Sequence, residues 1–410
     1  MEVFEVGGAV RDTLLELPIS ERDWVVVGGS REELLRLGYR QVGKDFPVFI
    51  HPDTGEEYAL ARTEKSVGPG YHGFDFDTSA DVTLEEDLGR RDLTINAMAR
   101  TPEDKVVDPY GGQRDLKNRL LRHTSDAFSE DPLRVLRVAR FAARLHGHSF
   151  SIASETMALM RQMVGAGEVH TLRSERVWQE TEKALTEDRA DIYFQTLRNC
   201  GALAIIFPEI DALFGVPQPA RWHPEIDTGV HTLMCLRMAG RLTTDLAVRF
   251  AALTHDLGKA TTAESILPRH TGHEERSVEI IGEFCARLPV PRRLKELAIL
   301  VARYHGMVHR ADELSAETAM ELIEASDGVR RPERFQALLL TCEADARGRM
   351  GLEENDYPQR RHLQSVLRAA NEIDTRQQAE TLQGVELGAA IRKRRLAAVA
   401  LALAEDYEGR

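Results

Sequence analysis

About the first 125 residues alternate short runs of β-branched and aromatic residues with segments of helical spacing. Three such runs, Val3–Val6, Trp24–Val27 and Val48–Ile50, are separated by Gly, Pro or Asp, which is typical of strands in an α/β region. Ser66–Asp77 is rich in glycine and aromatic residues without periodicity, and we predict a long loop there. From about Asp131 onward apolar residues recur at helical spacing, so the rest of the chain is predicted to be almost entirely helical.

Proline and glycine mark the ends of the helical segments and divide the chain. Two breaks, Gly215–Pro224 and Arg330–Pro332, are predicted to be domain boundaries. A chain of 410 residues is too long for one ordinary hydrophobic core, so several folding units are expected. The predicted domains are an α/β domain over 1–125 and helical domains over 126–224, 225–330 and 331–410.

Composition narrows the class of protein. Hydrophobic residues make up 42% of the chain and charged residues 29%, which is typical of a globular protein. A net charge of −13 argues against indiscriminate coating of nucleic acid, although the stretch 111–150 is net basic. The longest apolar runs are far shorter than the ~20 residues that a membrane-spanning helix needs, and Glu2 and Glu5 stand where a signal peptide would be basic. We therefore expect a soluble cytoplasmic protein with a local basic face and no membrane partner.

The four cysteines are far apart in the sequence and form no C-x-x-C pair. This spacing indicates neither a disulfide scaffold nor a thiolate zinc site. We expect them to be small buried residues. They are Cys200, Cys235, Cys285 and Cys342.

A glycine-rich turn opens the first predicted helix. The motif GGAVRD, residues 7–12, follows the first strand directly. Backbone N–H groups converge at such a turn and glycine lets a ligand approach closely, which suits a triphosphate. Taken alone, the turn is equally typical of an ordinary structural connection between a strand and a helix.

A pair of acids follows at the start of the second strand. Glu21 and Asp23 are two residues apart on an extended chain, so their side chains point to the same side. Two carboxylates in this arrangement can hold a pair of Mg²⁺ ions about 3.5–4 Å apart, as nucleotidyl transfer requires. On their own, these acids are better explained as two solvated side chains at the start of a strand.

Two further clusters favour a functional interpretation. RRDLTINA, Arg90–Ala97, places two guanidiniums, a carboxylate and an amide within two predicted helical turns, which fits a bound polyanion. EDPLRVLRVARF, Glu130–Phe141, begins a helix with acids and then repeats arginine every third residue, with Arg144 one turn later. The arginines share one helical face, on which Asp131 and Arg134 are neighbours.

These four motifs, in this order and spacing, resemble those of the class II tRNA nucleotidyltransferases, the CCA-adding enzymes and their poly(A) polymerase relatives. The resemblance implies template-independent addition of C, C and A to the 3′ end of tRNA from CTP and ATP. It also implies a role for each matching residue. Gly8, Arg11, Arg91, Arg137 and Arg140 would contact the nucleotide, Glu21 and Asp23 would hold Mg²⁺, Asp131 and Arg134 would select the base, and Asp92 and Asn96 would be accessory.

The proposed base-selecting pair has a physical rationale. A carboxylate accepts from the amino group that C and A share, while a guanidinium donates to a ring nitrogen or carbonyl. The chain departs from the family at Glu21, where Asp is usual. Glutamate still ligates Mg²⁺, but its extra methylene loosens the position of the ion, so we expect activity to persist. A third carboxylate would be Glu57 or Glu64, and the sequence leaves both open.

A second set of candidate residues lies in the helical part of the chain. His255 and Asp256 are adjacent in the segment AVRFAALTHDLGKA, and a lone pair of this kind is more often hydrogen-bonded in a core. Imidazole and carboxylate groups from several helices are, however, a common way to build a hydrolytic metal site. Further groups lie at intervals that fit separate helices, namely His231, His270, His273, His305 and Asp345.

The segment HDLGK, with a histidine before it and an aspartate after it, resembles the HD superfamily of phosphohydrolases over about residues 225–350. The resemblance implies a divalent metal. Nitrogen and oxygen ligands admit Ni²⁺, Mn²⁺ or Co²⁺ as well as Mg²⁺. The implied ligands are His231, His255, Asp256 and Asp345, with His273 and His305 as accessory or second-metal groups.

Together the two resemblances cover nearly the whole chain and match the HD-containing, multifunctional type of bacterial CCA-adding enzyme. They imply an α+β protein with an N-terminal α/β nucleotidyltransferase head of the polymerase-β type, followed by a mostly α-helical neck, body and HD domain. The HD part would act as a phosphatase, 2′-nucleotidase and 2′,3′-cyclic phosphodiesterase. Two alternatives stay open: a poly(A) polymerase or A-adding-only enzyme, and a nucleotide-sensing HD hydrolase whose head only binds NTP.

Basic residues outside the candidate sites are the expected contacts for tRNA. Arginines at 134–144 would face the acceptor stem and the cluster 392–395 would face the distal body, with solvated helix faces as the alternative. The other residues expected at the acceptor stem are Arg114, Lys117, Arg119 and Arg122.

We expect a monomer or a homodimer.

Overall fold

The chain folds into two compact units. The computed structural model describes residues 1–19, 21–42, 48–66, 74–77 and 79–408. Unit 1 contains Met1–Thr181 and Ile192–Ile206, and unit 2 contains Glu182–Asp191 and Phe207–Arg410. The division into four domains stays a prediction from the sequence.

Unit 1 contains the described strands of the protein. The strands are β1 (Glu2–Val6), β2 (Asp23–Val27), β3 (Arg40–Val42), β4 (Val48–Ile50), β5 (Glu57–Leu60), β6 (Thr63–Ser66), β7 (Phe74–Asp77), β8 (Ala99–Arg100), β9 (Val106–Val107), β10 (Leu120–Leu121) and β11 (Ser151–Ile152). Seven of them form a mixed sheet in the order β3-β4-β5-β2-β1-β8-β9. The three strands predicted from β-branched and aromatic runs are confirmed as β1, β2 and β4.

Both faces of the seven-stranded sheet are covered by protein. Val25 is buried in one hydrophobic cluster and its neighbour Val26 in another, because successive side chains of a strand point to opposite faces. The first cluster also contains Val6 and Leu88, and the second contains Phe49. The sheet is thus a rigid base from which the strand ends project.

The register of three strands places their ends together. Strand β1 runs antiparallel to β2, with Val6 opposite Asp23. Strand β2 runs parallel to β5, with Asp23 opposite Glu57. The carboxyl end of β1 and the amino ends of β2 and β5 therefore meet at one edge of the sheet.

The long loop predicted for Ser66–Asp77 is wrong in part. Thr63–Ser66 and Phe74–Asp77 pair as antiparallel strands, with Ser66 opposite Phe74. The alternation of aromatic and acidic residues in Phe74–Asp77 is a strand signal, which the glycines before it obscured. Residues 67–73 lie outside the described part of the chain.

Helices account for most of the remaining structure. The short helices of the α/β region are α1 (Gly8–Leu14), α2 (Arg31–Arg36), α3 (Leu84–Gly89) and α4 (Gly112–Lys117). They are followed by α5 (Leu133–Leu145), α6 (Ser154–Gly165), α7 (Ser174–Thr186), α8 (Ala190–Cys200) and α9 (Ala202–Ile206). The two helical turns predicted for RRDLTINA are wrong, since only Thr94–Asn96 forms a single 3₁₀ turn.

The described part of the chain after residue 207 is helical, as predicted. Its helices are α10 (Pro208–Asp211), α11 (Thr228–Leu242), α12 (Leu246–Thr254), α13 (His273–Arg287), α14 (Arg292–His309), α15 (Ala316–Ala325), α16 (Pro332–Arg347), α17 (Pro358–Asn371), α18 (Arg376–Thr381) and α19 (Gly384–Glu408). Helix α12 packs against α14 and α16, and α11 packs against α12 and α16. Among the described helices, none combines the length and apolar character needed to cross a membrane.

A fully buried arginine anchors α12. Arg249 donates hydrogen bonds to the carbonyl oxygens of Thr243, Leu185 and Glu187 at 2.8–2.9 Å and to that of Gly240 at 3.3 Å. Leu185 and Gly240 lie in the last turns of α7 and α11, where carbonyl oxygens have no partner within the helix. One guanidinium thus satisfies the ends of two helices.

Replacing this arginine should destabilise unit 2. Arg249→Met removes the donor to four carbonyl oxygens, and each buried acceptor left unpaired costs about 1–3 kcal/mol, so we expect a loss of at least about 3 kcal/mol. Differential scanning calorimetry measures the change. The matched control is Arg293→Ala, which breaks an exposed ion pair with Asp245 and should cost less than about 1 kcal/mol. Equal losses in the two variants would contradict the anchoring role.

Candidate functional site

The first candidate site begins at the turn between β1 and α1. Gly7 has a φ of 72°, in the left-handed region that favours glycine. A Cβ on Gly7 would lie 2.9 Å from Nη1 of Arg91, and a Cβ on Gly8 would lie 3.6 Å from Nη2 of Arg11. The two glycines therefore let two guanidiniums approach the backbone, which is the arrangement an anionic ligand needs.

Arg11 is buried and only partly used by the protein. Its guanidinium donates to Asp12 at 2.8 and 2.9 Å and to Oδ1 of Asn96 at 2.5 Å. A guanidinium carries five N–H donors, so two remain after these three bonds. Asp12 also accepts from Arg144 at 2.9 Å, which ties α1 to α5.

Three carboxylates lie at the adjoining edge of the sheet. Asp23 begins β2, Glu57 begins β5 opposite it, and all three of Glu21, Asp23 and Glu57 are exposed to solvent. Partial loss of hydration raises the pKa of Asp23, Arg91 opposes the rise and the charge of Glu21 adds to it. Carboxylates that repel one another attract a cation, and oxygen ligands suit Mg²⁺.

The same register places one of the two candidates for a third carboxylate. Glu57 is beside Asp23 on the neighbouring strand, and residues paired in register project from the same face of a sheet. The side chain of Glu64 lies outside the described part of the chain. The observed register favours Glu57.

A chain of ion pairs runs behind this edge. Asp92 accepts from Asn96 at 3.0 Å and from Arg137 at 2.8 Å. Glu180, on α7, accepts from Arg140 at 2.7 Å and lies 3.5 Å from Arg137. Burial opposes ionisation of Asp92, but Arg137 and Asn96 lower its pKa to about 2. These linked ion pairs hold α5 and α7 against the α/β part of unit 1.

The two residues predicted to select the base are neighbours with different partners. The carboxylate of Asp131 is bound by both terminal nitrogens of Arg176, at 2.8 and 3.3 Å, and accepts from the N–H of Leu133 at 3.0 Å. Arg134 is buried and donates to the carbonyl oxygen of Ala127 at 2.6 Å. Arg176 was not identified from the sequence, and its position on α7 carries no local signal.

The exposed face expected for the arginines of α5 is wrong in part. Arg134 and Arg140 are buried, so they cannot cover a surface that contacts RNA. Arg122 is half-buried and paired with Asp115 at 3.1 Å. The expected basic residues that are exposed are Arg114, Lys117 and Arg119 in unit 1 and Arg392, Lys393 and Arg394 on α19.

The second candidate site lies within unit 2, where three helices meet. His231 comes from α11, His255 ends α12 and Asp345 lies on α16. Nε2 of His231 is 3.0 Å from Oδ1 of Asp345, and Nε2 of His255 is 3.8 Å from Oδ2 of the same carboxylate. These side chains are buried, and Cys235 lies among them, one donor atom of each residue being within 4.8 Å of the others.

Asp256 belongs to a neighbouring group. Its carboxylate lies 3.2 Å from Nε2 of His273 and 3.7 Å from Nε2 of His305. Nε2 of His255 is 3.2 Å from the other oxygen of Asp256, so the two groups adjoin. Burial lowers the pKa of His305 to about 3, which keeps its imidazole neutral. The six residues predicted from the sequence are thus brought together as two adjoining sets.

Several polar residues around these sets were not predicted. Nδ1 of His231 is 2.9 Å from Glu225, Lys259 is 2.6 Å from Asp256, and Nε2 of His309 is 2.6 Å from Asp345. Tyr357 is 2.9 Å from Nδ1 of His309. His309 lies one turn after His305 on α14, and Cys235 one turn after His231 on α11, so helical spacing carried a signal for both.

The donor atoms fit a divalent cation. Nε2 of His255 and Oδ1 of Asp256 are buried and make no hydrogen bond among the described residues. Buried polar atoms are almost always paired, so unpaired ones that face a cluster of imidazoles indicate a ligand. Burial opposes ionisation of Asp345, but His309 and Arg349 hold its pKa well below the usual range.

Two expectations about single residues need correction. His270 belongs to neither set, because its ring nitrogens bond Thr262 at 2.8 Å and the carbonyl oxygen of Pro217 at 3.1 Å. Cys285 is half-buried, whereas Cys200, Cys235 and Cys342 are buried as expected.

Comparisons with known proteins match both parts of the chain that carry the candidate sites. The family model of the Poly A polymerase head domain matches residues 3–122, and that of the HD domain matches residues 228–347. A model described as the probable RNA and SrmB-binding site of polymerase A matches residues 149–214. A multifunctional CCA protein of Thioalkalivibrio sulfidiphilus is 56% identical over 97% of this chain and 98% of its own length. The resemblances drawn from the motifs are confirmed.

Solved structures share the fold. An apo CCA-adding enzyme covers 100% of this chain and 91% of its own, with a TM-score of 0.66 at 20% identity. The Thermotoga maritima CCA-adding enzyme complexed with tRNA covers 98% of this chain and 91% of its own, with a TM-score of 0.63 at 19% identity. The predicted α+β class, with a nucleotidyltransferase head and a mostly helical remainder, is confirmed.

The pKa of Asp92 makes its contribution to stability depend on pH. The folded pKa of about 2 lies below the ordinary 3.8, so the stabilisation is present above about pH 4 and is lost as the pH falls toward 2. Asp92→Asn should therefore lower the free energy of unfolding by about 2 kcal/mol near neutral pH, and by less near pH 3. Urea unfolding at several pH values measures the difference.

A matched substitution separates this effect from a general loss of charge. Asp104 is 81% exposed and pairs with Arg100 at 3.0 Å, so Asp104→Asn should change the free energy of unfolding by less than about 0.5 kcal/mol at every pH. A difference between the wild-type chain and Asp92→Asn that does not change with pH would refute the assignment.

Proposed function

This chain belongs to the multifunctional CCA proteins, and we propose that its head adds C, C and A to the 3′ end of tRNA from CTP and ATP in the cytoplasm. One observation carries the proposal. The register of β1, β2 and β5 gathers the carboxylates Asp23 and Glu57 beside the Gly7 turn, where Arg91 reaches the backbone. Acidic oxygens for a cation and guanidiniums for a triphosphate are thus adjacent.

The reaction joins the 3′-hydroxyl of the RNA to the α-phosphorus of the nucleotide. A bond forms between that oxygen and the α-phosphorus, the bond from the α-phosphorus to the oxygen bridging to the β-phosphate breaks, pyrophosphate leaves, and the hydroxyl proton passes to solvent. Mg²⁺ supplies neutralisation of phosphate charge and activation of the attacking hydroxyl. The free N–H groups of Arg11, and Arg91 beside the Gly7 turn, would bind the triphosphate and orient it for in-line attack.

The head would hold Mg²⁺ through Glu21 and Asp23, with Glu57 as the third carboxylate. All three are exposed, so the end of an RNA can reach them. Glutamate at position 21 has a longer side chain than the aspartate usual in this family. Its charge still contributes to the raised pKa of Asp23, so the two carboxylates lie close to each other. Three oxygen donors suit a small hard cation.

Asp131 and Arg134 would select the base. The carboxylate of Asp131 has about four acceptor positions, of which Arg176 and the N–H of Leu133 use three. The fourth can accept from the amino group that C and A share, which U lacks. Arg176 would act as a positioning residue, because a bidentate pair fixes the plane of the carboxylate. Arg137 and Arg140 would contact the nucleotide, as the resemblance implies, and their bonds to Asp92 and Glu180 would fix their positions.

The exposed basic residues are the proposed contacts with tRNA. Arg114, Lys117 and Arg119 lie on or next to α4 in unit 1. A protein that binds RNA independently of its sequence contacts phosphates and 2′-hydroxyls, which basic side chains can bind. The cluster at Arg392–Arg394 is a weaker candidate, because Arg392 pairs with Glu324 and Arg394 bonds Gln378.

We further propose that the HD domain hydrolyses phosphate esters, acting as phosphatase, 2′-nucleotidase and 2′,3′-cyclic phosphodiesterase. A divalent cation, Ni²⁺, Mn²⁺ or Co²⁺, would supply Lewis-acid activation of the phosphate and of the attacking water. His231, His255, Asp256 and Asp345 would hold it, with His273 and His305 available for a second ion. The buried unpaired atoms of His255 and Asp256 support this ligand set.

The residues around the ligands have definable tasks. Glu225 accepts from Nδ1 of His231, which leaves Nε2 free to face the cluster. Lys259, paired with Asp256, places a positive charge where a phosphate oxygen would approach. A tRNA end that carries a 3′- or cyclic phosphate lacks the free hydroxyl needed for extension, so the two sites would act in sequence during repair.

Loss of the head carboxylates should abolish nucleotide addition. Asp23→Asn should reduce the rate of CTP incorporation by at least about 10³-fold, and Glu57→Gln by at least about 10-fold, since electrostatic stabilisation of this size is typical of such groups. The measurement is a gel assay with a tRNA transcript that ends at the discriminator base.

The matched control is Glu2→Gln at the opposite end of the same pair of strands, where Glu2 faces Val27. This variant should extend the transcript as the wild-type chain does. Extension by three nucleotides and then arrest supports CCA addition. Addition of A alone to a transcript that ends in CC would make the chain an A-adding enzyme, and unlimited A addition would make it a poly(A) polymerase.

Loss of the HD ligands should separate the two activities. His255→Ala combined with Asp256→Ala should abolish extension of a transcript that ends in C with a 2′,3′-cyclic phosphate and leave extension of an unblocked transcript unchanged. The control is Asp312→Asn, an exposed acid in the same unit. Full extension of the blocked transcript by the double variant would disprove the role of the HD site in repair.

A further inference from the structure

We propose that the thiolate of Cys235 is a ligand of the HD metal ion, so that this site is built for a zinc-like cation with a sulfur donor. The inference rests on the proposed function of the HD domain as a metal site and names one more donor in it. No comparison assigns Cys235 a role, and the sequence alone placed it among the ordinary buried cysteines.

Helical spacing puts the thiol beside an established candidate ligand. Cys235 follows His231 by one turn on α11, so the two side chains share a face. Sγ lies 3.3 Å from Nε2 of His231, the nitrogen that faces Asp345, and 3.9 Å from Oδ1 of Asp345. The thiol therefore points into the cluster and not into an apolar part of the core.

The donor separations are close to those expected around one metal ion. With a metal–nitrogen distance of about 2.0–2.1 Å and a metal–sulfur distance of about 2.3 Å, tetrahedral donors lie about 3.3–3.7 Å apart. The observed separations are 3.0 Å from Nε2 of His231 to Oδ1 of Asp345, 3.3 Å from Nε2 of His231 to Sγ of Cys235 and 3.8 Å from Nε2 of His255 to Oδ2 of Asp345. Cys235 thus adds a sulfur donor to His231, His255 and Asp345, and Asp256 adjoins them through the 3.2 Å contact of its carboxylate with Nε2 of His255.

One further observation points to a ligand in this set, and a second shows how the helices hold the donors together. Nε2 of His255 is buried, faces the group and has no hydrogen-bond partner among the described residues. Close contact between helices also holds the donors together. A Cβ on Gly348 would lie 2.6 Å from Cα of Cys235, so only glycine lets the end of α16 reach the backbone of α11. That contact keeps Asp345, one turn earlier, beside the thiol.

A sulfur donor changes which cation the site favours. Thiolate and imidazole suit Zn²⁺, Co²⁺ and Ni²⁺, whereas Mg²⁺ and Mn²⁺ favour oxygen ligands. The HD site of this chain should therefore bind Zn²⁺ or Co²⁺ in the presence of excess Mg²⁺. When the ion binds, the thiol proton is released to solvent.

The test uses Co²⁺ as a spectroscopic probe of the full-length chain. Metal-free protein is titrated with Co²⁺ under anaerobic conditions, and the absorption spectrum is recorded together with the bound metal per chain. A thiolate ligand produces a sulfur-to-cobalt charge-transfer band in the near ultraviolet, whereas imidazole and carboxylate ligands alone produce only the visible d–d bands. We expect both kinds of band in the wild-type chain.

The variants assign the band. Cys235→Ser and Cys235→Ala should lose the charge-transfer band and keep the visible d–d bands. Both variants should bind Zn²⁺ at least about 10-fold more weakly, because even the loss of a residue that only hydrogen-bonds to a metal ligand typically weakens metal binding by about that factor. The controls Cys285→Ala and Cys342→Ala should keep the charge-transfer band. The d–d bands report that the histidine ligands are still assembled, so a variant that fails to fold is recognised.

The outcomes separate this inference from the proposed function. Visible bands without a charge-transfer band in the wild-type chain would overturn ligation by Cys235 and leave the HD metal site standing. A charge-transfer band that survives in both Cys235 variants would assign the sulfur to another cysteine and overturn the inference. Absence of bound Co²⁺ would overturn both the inference and the metal site.

Discussion

Both sites depend on one physical constraint: a charged group that leaves water must meet an opposite charge or a bound ion. Arg11 and Asp92 in unit 1, and Asp256 and Asp345 in unit 2, are nearly inaccessible to solvent. Removal of one member of a buried pair leaves a charge that neither water nor protein compensates. The partners of these residues are therefore as much a part of each site as the groups expected to touch substrate.

The constraint explains why the two sites differ in organisation. In unit 1 the buried charges neutralise one another through Asp12, Asn96 and Arg137, and the exposed carboxylates at the strand ends are left to attract a cation. In unit 2 two buried atoms of the described set, Nε2 of His255 and Oδ1 of Asp256, have no hydrogen-bond partner. The first site is completed by ligands that arrive from solvent, and the second by an ion enclosed among helices.

The sequence was sufficient for the residues whose signal is local or periodic. The strands β1, β2 and β4 and the helical character after Asp131 follow from alternation and helical spacing, and the candidate site residues were assigned through the resemblance of the motifs to known families. The sequence could not choose between Glu57 and Glu64, because the choice depends on which strand pairs with β2. It also could not find Arg176 or Glu225, which meet Asp131 and His231 only through tertiary contacts. Its main error concerned α5, where periodic arginines suggested an exposed face and two of them are buried among ion pairs.

The donor chemistry of the two sites bears on how one chain keeps two metals apart. The head offers three carboxylates in contact with water, a set that suits Mg²⁺, an ion that keeps several of its waters. The HD set offers imidazoles and, in our inference, a thiolate within a buried cluster. An ion that enters this cluster loses its water ligands, and strong bonds from nitrogen and sulfur would offset that cost. Mg²⁺ gains little from sulfur and favours oxygen ligands, so the enclosed set would favour a transition metal. If each site binds its ion as we propose, selectivity would follow from the donors of that site, and the proposed nucleotide addition and phosphate hydrolysis would use different ions in the same solution.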